Sequence, residues 1–144
     1  MKSLIIILSL LACFIPCSAQ MNVKEDVAVV TKLQQKELNP GASGQIVISI
    51  KPNKGIHVTT DPPFLFTLDS LKEYFSLGQP DFAKNEKGYV DAKKPIRHEL
   101  SVAKNTPAGS YTLKGVFTYF YCSDAEGWCS RFRHPVELTV NVAR

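Results

Sequence analysis

Residues 136–142 alternate without a break: Val136, Leu138, Val140 and Val142 are apolar, and Glu137, Thr139 and Asn141 between them are polar. Successive side chains of a β-strand point to opposite faces, so a period of two describes a strand with one face buried and the other wet. A helix needs a repeat near 3.6, and no segment of this sequence sustains one over three turns. The other apolar runs are short, rich in β-branched and aromatic residues, and bounded by turn residues. Strands are therefore expected at 27–33, at 45–51 with Ile46, Ile48 and Ile50 on one face, and at 56–60, 64–68, 96–102 and 111–122. Asn39-Pro40-Gly41, Pro52-Asn53-Lys54-Gly55, Asp61-Pro62-Pro63 and Thr106-Pro107-Ala108-Gly109 separate them. Residues 71–77 read equally as a short helix or an irregular strand, and 78–95 as a long, polar, mobile loop holding Phe82 and Tyr89. Roughly seven to nine short strands with regular turns imply an all-β chain, an immunoglobulin-like antiparallel β-sandwich in one domain.

The first residues follow a different rule. Lys2 precedes an apolar run over 4–15, Pro16 breaks it, and Cys17-Ser18-Ala19 places small residues before a cut at Gln20. The run is about a dozen residues, short of the roughly 20 that span a bilayer. It reads as a cleaved export signal over 1–19, leaving the domain at 20–144. The rival reading is a lipoprotein signal at Leu10-Leu11-Ala12-Cys13, which would tether the chain to a membrane through Cys13. Both place the domain outside the cytoplasm, in the periplasm, and a monomer is expected. The net charge is +4, with lysines scattered through turns rather than gathered in a stripe, which argues against a nucleic-acid partner.

Of four cysteines in the sequence, removal of the signal leaves Cys122 and Cys129, with six residues between them. In an oxidising compartment they pair with each other or with another chain. Cys122 ends one expected strand and Cys129 begins the next, so a hairpin already brings them together. A bridge there adds little to the fold, and it stays open to two readings: an ordinary staple, or a redox couple that opens without unfolding the domain. Asp124 and Glu126 inside the loop disfavour a thiolate, while Arg131 and Arg133, on the same side as Cys129 if the strand starts there, would oppose them on folding back, so either sign of the net effect stays open. A metal site would recruit His57, His98 or His134 beside the thiolates, but the spacing departs from the about two to four intervening residues of zinc motifs. Metal and cofactor are both expected to be absent. His57 reads either as a neighbour of the cysteines or as a hydrogen-bonded strand histidine.

The segment Tyr119-Phe120-Tyr121-Cys122-Ser123-Asp124-Ala125-Glu126-Gly127-Trp128-Cys129, with Lys54-Gly55-Ile56-His57-Val58, resembles the N-terminal periplasmic domain of the DsbD thiol:disulfide interchange proteins. The similarity extends over about 25–142, and the cysteine loop is its specific part. The resemblance implies an oxidoreductase module that accepts two electrons from a transmembrane or thioredoxin-like partner. It passes them to periplasmic disulfide proteins through mixed disulfides. It implies Cys122 as the residue that forms the mixed disulfide, Cys129 as the resolving one, and an aromatic cap over the bridge. Tyr89 in the 83–95 loop is the candidate cap, and Asp124, Glu126 and Trp128 are near-site candidates. DsbD carries transmembrane and thioredoxin-like domains on the same polypeptide; here the expectation is either a detached module with partners supplied in trans or one that has lost the relay and kept the fold. The other class of function consistent with the residues is a non-catalytic binding or assembly module with a structural hairpin disulfide.

Overall fold

A computed structural model describes residues 25–144. The expected export signal over 1–19 and the lipidation alternative at Cys13 lie outside the described residues. Among these residues there are eight strands and no helix: β1 (Val27–Leu33), β2 (Ser43–Pro52), β3 (Ile56–Val58), β4 (Leu65–Leu68), β5 (Phe75–Asp81), β6 (Ile96–Val102), β7 (Gly109–Ser123) and β8 (Trp128–Val142). One four-stranded sheet has the order β1-β2-β6-β5. In the other, β7 is paired along its length with β8 on one edge and with β4 and then β3 on the other. All these pairings are antiparallel. This is the A-B-E-D against C-F-G arrangement of the immunoglobulin fold, with the C position split into β3 and β4 around a cis Asp61–Pro62 bond.

The period of two becomes the core. Ile46, Ile48, Ile96 and Leu100 from one sheet, and Leu113, Phe117, Tyr119 and Val140 from the other, are all but inaccessible to solvent. Val136, Leu138, Val140 and Val142 all face inward, as their alternation requires. The Tyr111 hydroxyl donates to the Pro107 carbonyl at 2.6 Å, which locks the β6–β7 connection as the tyrosine corner does in many sandwiches.

Two local expectations resolve or change. Residues 71–77 are neither a helix nor one strand: Leu71 takes a positive φ, its carbonyl accepts the N–H groups of Tyr74 and Phe75, and β5 starts only at Phe75. The loop expected at 78–95 is shorter and more ordered. Its first residues close β5, where Pro80 sits beside a register shift on an edge strand. The rest folds back as a small hairpin through the Lys84–Val90 bridge. Val90, buried, donates its N–H to Val58, and Phe82 packs edge-on against Phe64. These two apolar anchors, set among lysines, dock the hairpin on β3.

Candidate functional site

The unbroken register of β7 and β8 sets Cys122 directly opposite Cys129, and the two are joined by a disulfide with their Cα atoms 4.1 Å apart. On β7 the odd-numbered side chains Leu113, Phe117 and Tyr119 fill the core, so Cys122 lies on the outer face of the sheet. It is a pair without mutual backbone hydrogen bonds, since the even-numbered residues of β7 turn their carbonyls the other way: Phe120 accepts from Thr59, and Lys114 from Asp69. The tip closes through Asp124–Gly127. Gly127 supplies the left-handed turn at φ 69° and donates its N–H to Ser123.

The two sulfur-bearing residues differ in access. Cys122 is 8% exposed, whereas Cys129 is exposed, like Ser130 and Arg131 after it. On the far side of Cys122, β3 brings His57 into direct register with it. The imidazole stacks on the Tyr89 ring at 3.6 Å between centroids and 19° between planes. Its Nδ1 lies 3.6 Å from an Asp124 carboxylate oxygen. Tyr89 is held there by the docked hairpin: Asn85 Oδ1 accepts the N–H groups of Lys87 and Tyr89, and Thr60 donates its hydroxyl to Gly88. Between this hairpin and the β2–β3 turn opens a cleft of about 660 Å³, lined by His57, Lys84, Glu86 and Lys87 and by the apolar Ile56 and Val90, among others.

Cys122, Cys129, His57, Tyr89 and Asp124 are therefore one cluster. Glu126 and Trp128 belong elsewhere. Trp128 points to the inward side of the hairpin, where its ring meets Tyr121 edge-on at 5.7 Å, and its indole N–H donates to Glu126. Both loop acids have partners, Asp124 with His57 and Glu126 with Trp128. The other histidines are remote: His98 is buried in the opposite sheet against Phe66, and His134 pairs with Phe117 lower on β8. Under the disulfide, Tyr119 is fully buried. Burial first, then the charges of Glu25, Tyr121 and Asp26, push its phenol well above the usual tyrosine range, and it stays protonated.

Thr60 and Val90 carry no local mark of these roles in the sequence, and Asn85 carries only the mark of a turn. The spacing of Asn85 and Gly88 is a turn signal that points to a closed hairpin, and it was readable.

No protein-family model and no curated protein matches the sequence. Similar solved structures include a chain of a type I cohesin–dockerin complex from Clostridium thermocellum, with a TM-score of 0.47 and 13% identity over 81% of this chain and 99% of that one. The GAE domain of yeast GGA1 gives 0.42 and 12% over 81% and 96%. AggA, the major subunit of aggregative adherence fimbriae type I from Escherichia coli, gives 0.41 and 11% over 84% and 98%. At these identities nothing about activity follows from them.

Proposed function

We propose that this immunoglobulin-like domain is an exported thiol–disulfide exchange module, working in the periplasm with thioredoxin-like or transmembrane dithiol partners and with periplasmic disulfide proteins. The carrying observation is the asymmetry of the bridge: an exposed Cys129 joined to a buried Cys122, which lies in register with His57, whose ring stacks on Tyr89. A partner thiolate attacks the Cys129 sulfur and forms a bond to it. The Cys122–Cys129 bond breaks, and its electron pair leaves on Cys122, which takes up a proton. The partner's second thiol then attacks its own bridged sulfur and releases Cys129 as a thiol. The partner dithiol is oxidised to a disulfide and the Cys122–Cys129 pair is reduced. The same steps in reverse pass the two electrons to a disulfide acceptor. The greater exposure of Cys129 supports it, rather than the Cys122 that the DsbD resemblance implies, as the residue that meets the partner.

Two further features support the reading. The bridge lies at the tip of a hairpin whose flanking pairs, Tyr121–Ser130 and Ser123–Trp128, do not depend on it. The His57–Tyr89 stack beside Cys122 supports a cap of the kind the resemblance implies. Titration of the purified protein against glutathione, with circular dichroism in parallel, tests it. The expected potential falls within roughly −270 to −120 mV, with the sheet signal unchanged on reduction. A potential below about −300 mV, or sheet lost with the bridge, refutes exchange and leaves a stapled binding domain.

A further inference from the structure

The outer edge of β8 carries the next step. Leu38 donates its N–H to Asn141, and Ala143 donates to Leu38, so the odd-numbered residues at this end of β8 direct their backbone groups away from β7. Strand alternation carries that direction back to Arg133, Arg131 and Cys129. Among the described residues no strand pairs with this stretch. Further along the same edge it is guarded: Pro135 has no N–H, and the segment at Leu38 covers the far end. On the unguarded stretch before Pro135, Arg131 and Arg133 are exposed, lie on the same face as Cys129, and make no ion pair among the described residues.

We propose that the exchange partner docks as an added strand on this edge, presenting an extended segment with a cysteine opposite Cys129 and acidic residues opposite Arg131 and Arg133. The inference rests on the exchange reading above and names the chemistry of its partner. Its geometric basis is the row across the sheet. His57, Cys122 and Cys129 sit side by side on three adjacent positions of one face. A strand added beyond β8 places its own residue fourth in that row. Because Cys129 turns its backbone outward, that residue forms a hydrogen-bonded pair with it, at a Cα separation of about 5.5 Å. Disulfides most often span about that distance. The row also brings the partner sulfur to Cys129 from the side opposite Cys122, the approach that displaces the Cys122 sulfur. Strand addition thus delivers both register and line of attack, and the two arginines select the sign of the partner.

The test uses two cysteine peptides of equal length, one flanking its cysteine with aspartate and glutamate, the other with lysine. The acidic peptide is expected to form the mixed disulfide about tenfold faster at low salt, with the gap closing at about 1 M salt. Arg131→Pro removes an outward N–H and no β7–β8 bond, and Arg131→Ala removes the charge alone. The proline variant is expected to react about fivefold more slowly with the acidic peptide than the alanine variant does. Both variants lack the same charge and are expected to react at the same rate as each other with 2-mercaptoethanol. Acidic and basic peptides that react alike, or variants that react alike with the acidic peptide, overturn edge docking. Amide hydrogen exchange on the unsubstituted protein gives a second reading that no folding defect can blur. The N–H groups of Cys129, Arg131 and Arg133 should exchange freely in the protein alone and become protected in the peptide adduct. Protection already present without peptide, by the chain's own N-terminal segment, overturns the proposal, as does no protection in the adduct. Opening by 2-mercaptoethanol without peptide preference removes edge docking and keeps exchange. A bridge that no thiol opens in the folded protein removes both.

Discussion

Opening the Cys122–Cys129 bridge should cost the domain little, and the cost can be bounded from the structure. The bridge closes a short loop, with a sequence separation of 7. Closing a loop that short in the unfolded chain is worth about 2.5 kcal/mol in the chain-entropy treatment. That is an upper bound, because the β7–β8 ladder continues on both sides of the pair and the core half of β8 is buried independently of it. By linkage, the amount by which the bridge stabilises the fold equals the amount by which the fold stabilises the bridge. At about 30 mV per 1.4 kcal/mol for two electrons, 2.5 kcal/mol is about 50 mV. The folded protein should therefore have a reduction potential no more than about 50 mV below that of the same chain in denaturant. Urea titrations of the oxidised and reduced forms give one side of the cycle, and glutathione titrations with and without urea the other. A stability loss of about 5 kcal/mol on reduction, or a shift of about 100 mV, would refute the reasoning and show a bridge that carries the fold.

Other perturbations have equally direct outcomes. Tyr89→Ala removes the ring stacked on His57; such a contact is worth about 1 kcal/mol, so the uncovered state gains about fivefold in population. Glutathione attack at Cys122 relative to Cys129, read from the mixed-disulfide adducts by mass spectrometry, should rise by about that factor, and an unchanged ratio would show that Tyr89 covers nothing that matters. Tyr111→Phe loses the hydrogen bond to Pro107 and should lower stability by about 1 kcal/mol in urea without altering the potential. His98 is 3% exposed, with Nδ1–H donating to the Gly78 carbonyl at 3.2 Å; burial lowers its pKa, outweighing that hydrogen bond. The unfolded chain then binds a proton that the folded chain refuses. Stability contributed by neutral His98 is complete above the ordinary histidine value of about 6.5 and is lost as pH falls below it. The stability read from urea unfolding should be lower at pH 5.5 than at pH 7, and His98→Leu should abolish the difference.

The sandwich was legible because burial on one face writes itself into every second residue. The expected strands at 27–33 and 96–102 coincide with β1 and β6, and the run at 136–142 is the core half of β8. What local reading missed depends on distant pairing. Val90 and Phe82 look isolated among lysines until β3 and Phe64 arrive to receive them. The placement of His57 beside Cys122 is a register between β3 and β7, and nothing in either segment alone specifies it. Trp128 is a different case. Counting back in twos from Val142 gives position 128 the inward parity and 129 the outward one, so its separation from the disulfide was available from sequence.

That parity reaches further than one tryptophan. The register of β7 with β8 runs from Gly109–Val142 to Ser123–Trp128 with no bulge. The buried positions at one end and the cysteine pair at the other are therefore teeth on a single rack. A residue inserted or deleted anywhere from Ser130 to Pro135 would turn either the valines or Cys129 to the wrong side. Only the tip at Asp124–Gly127 can change length without that penalty. Descendants of such a chain are free to vary the tip, and with it the approach to the sulfur, while the stem passes on unaltered in length.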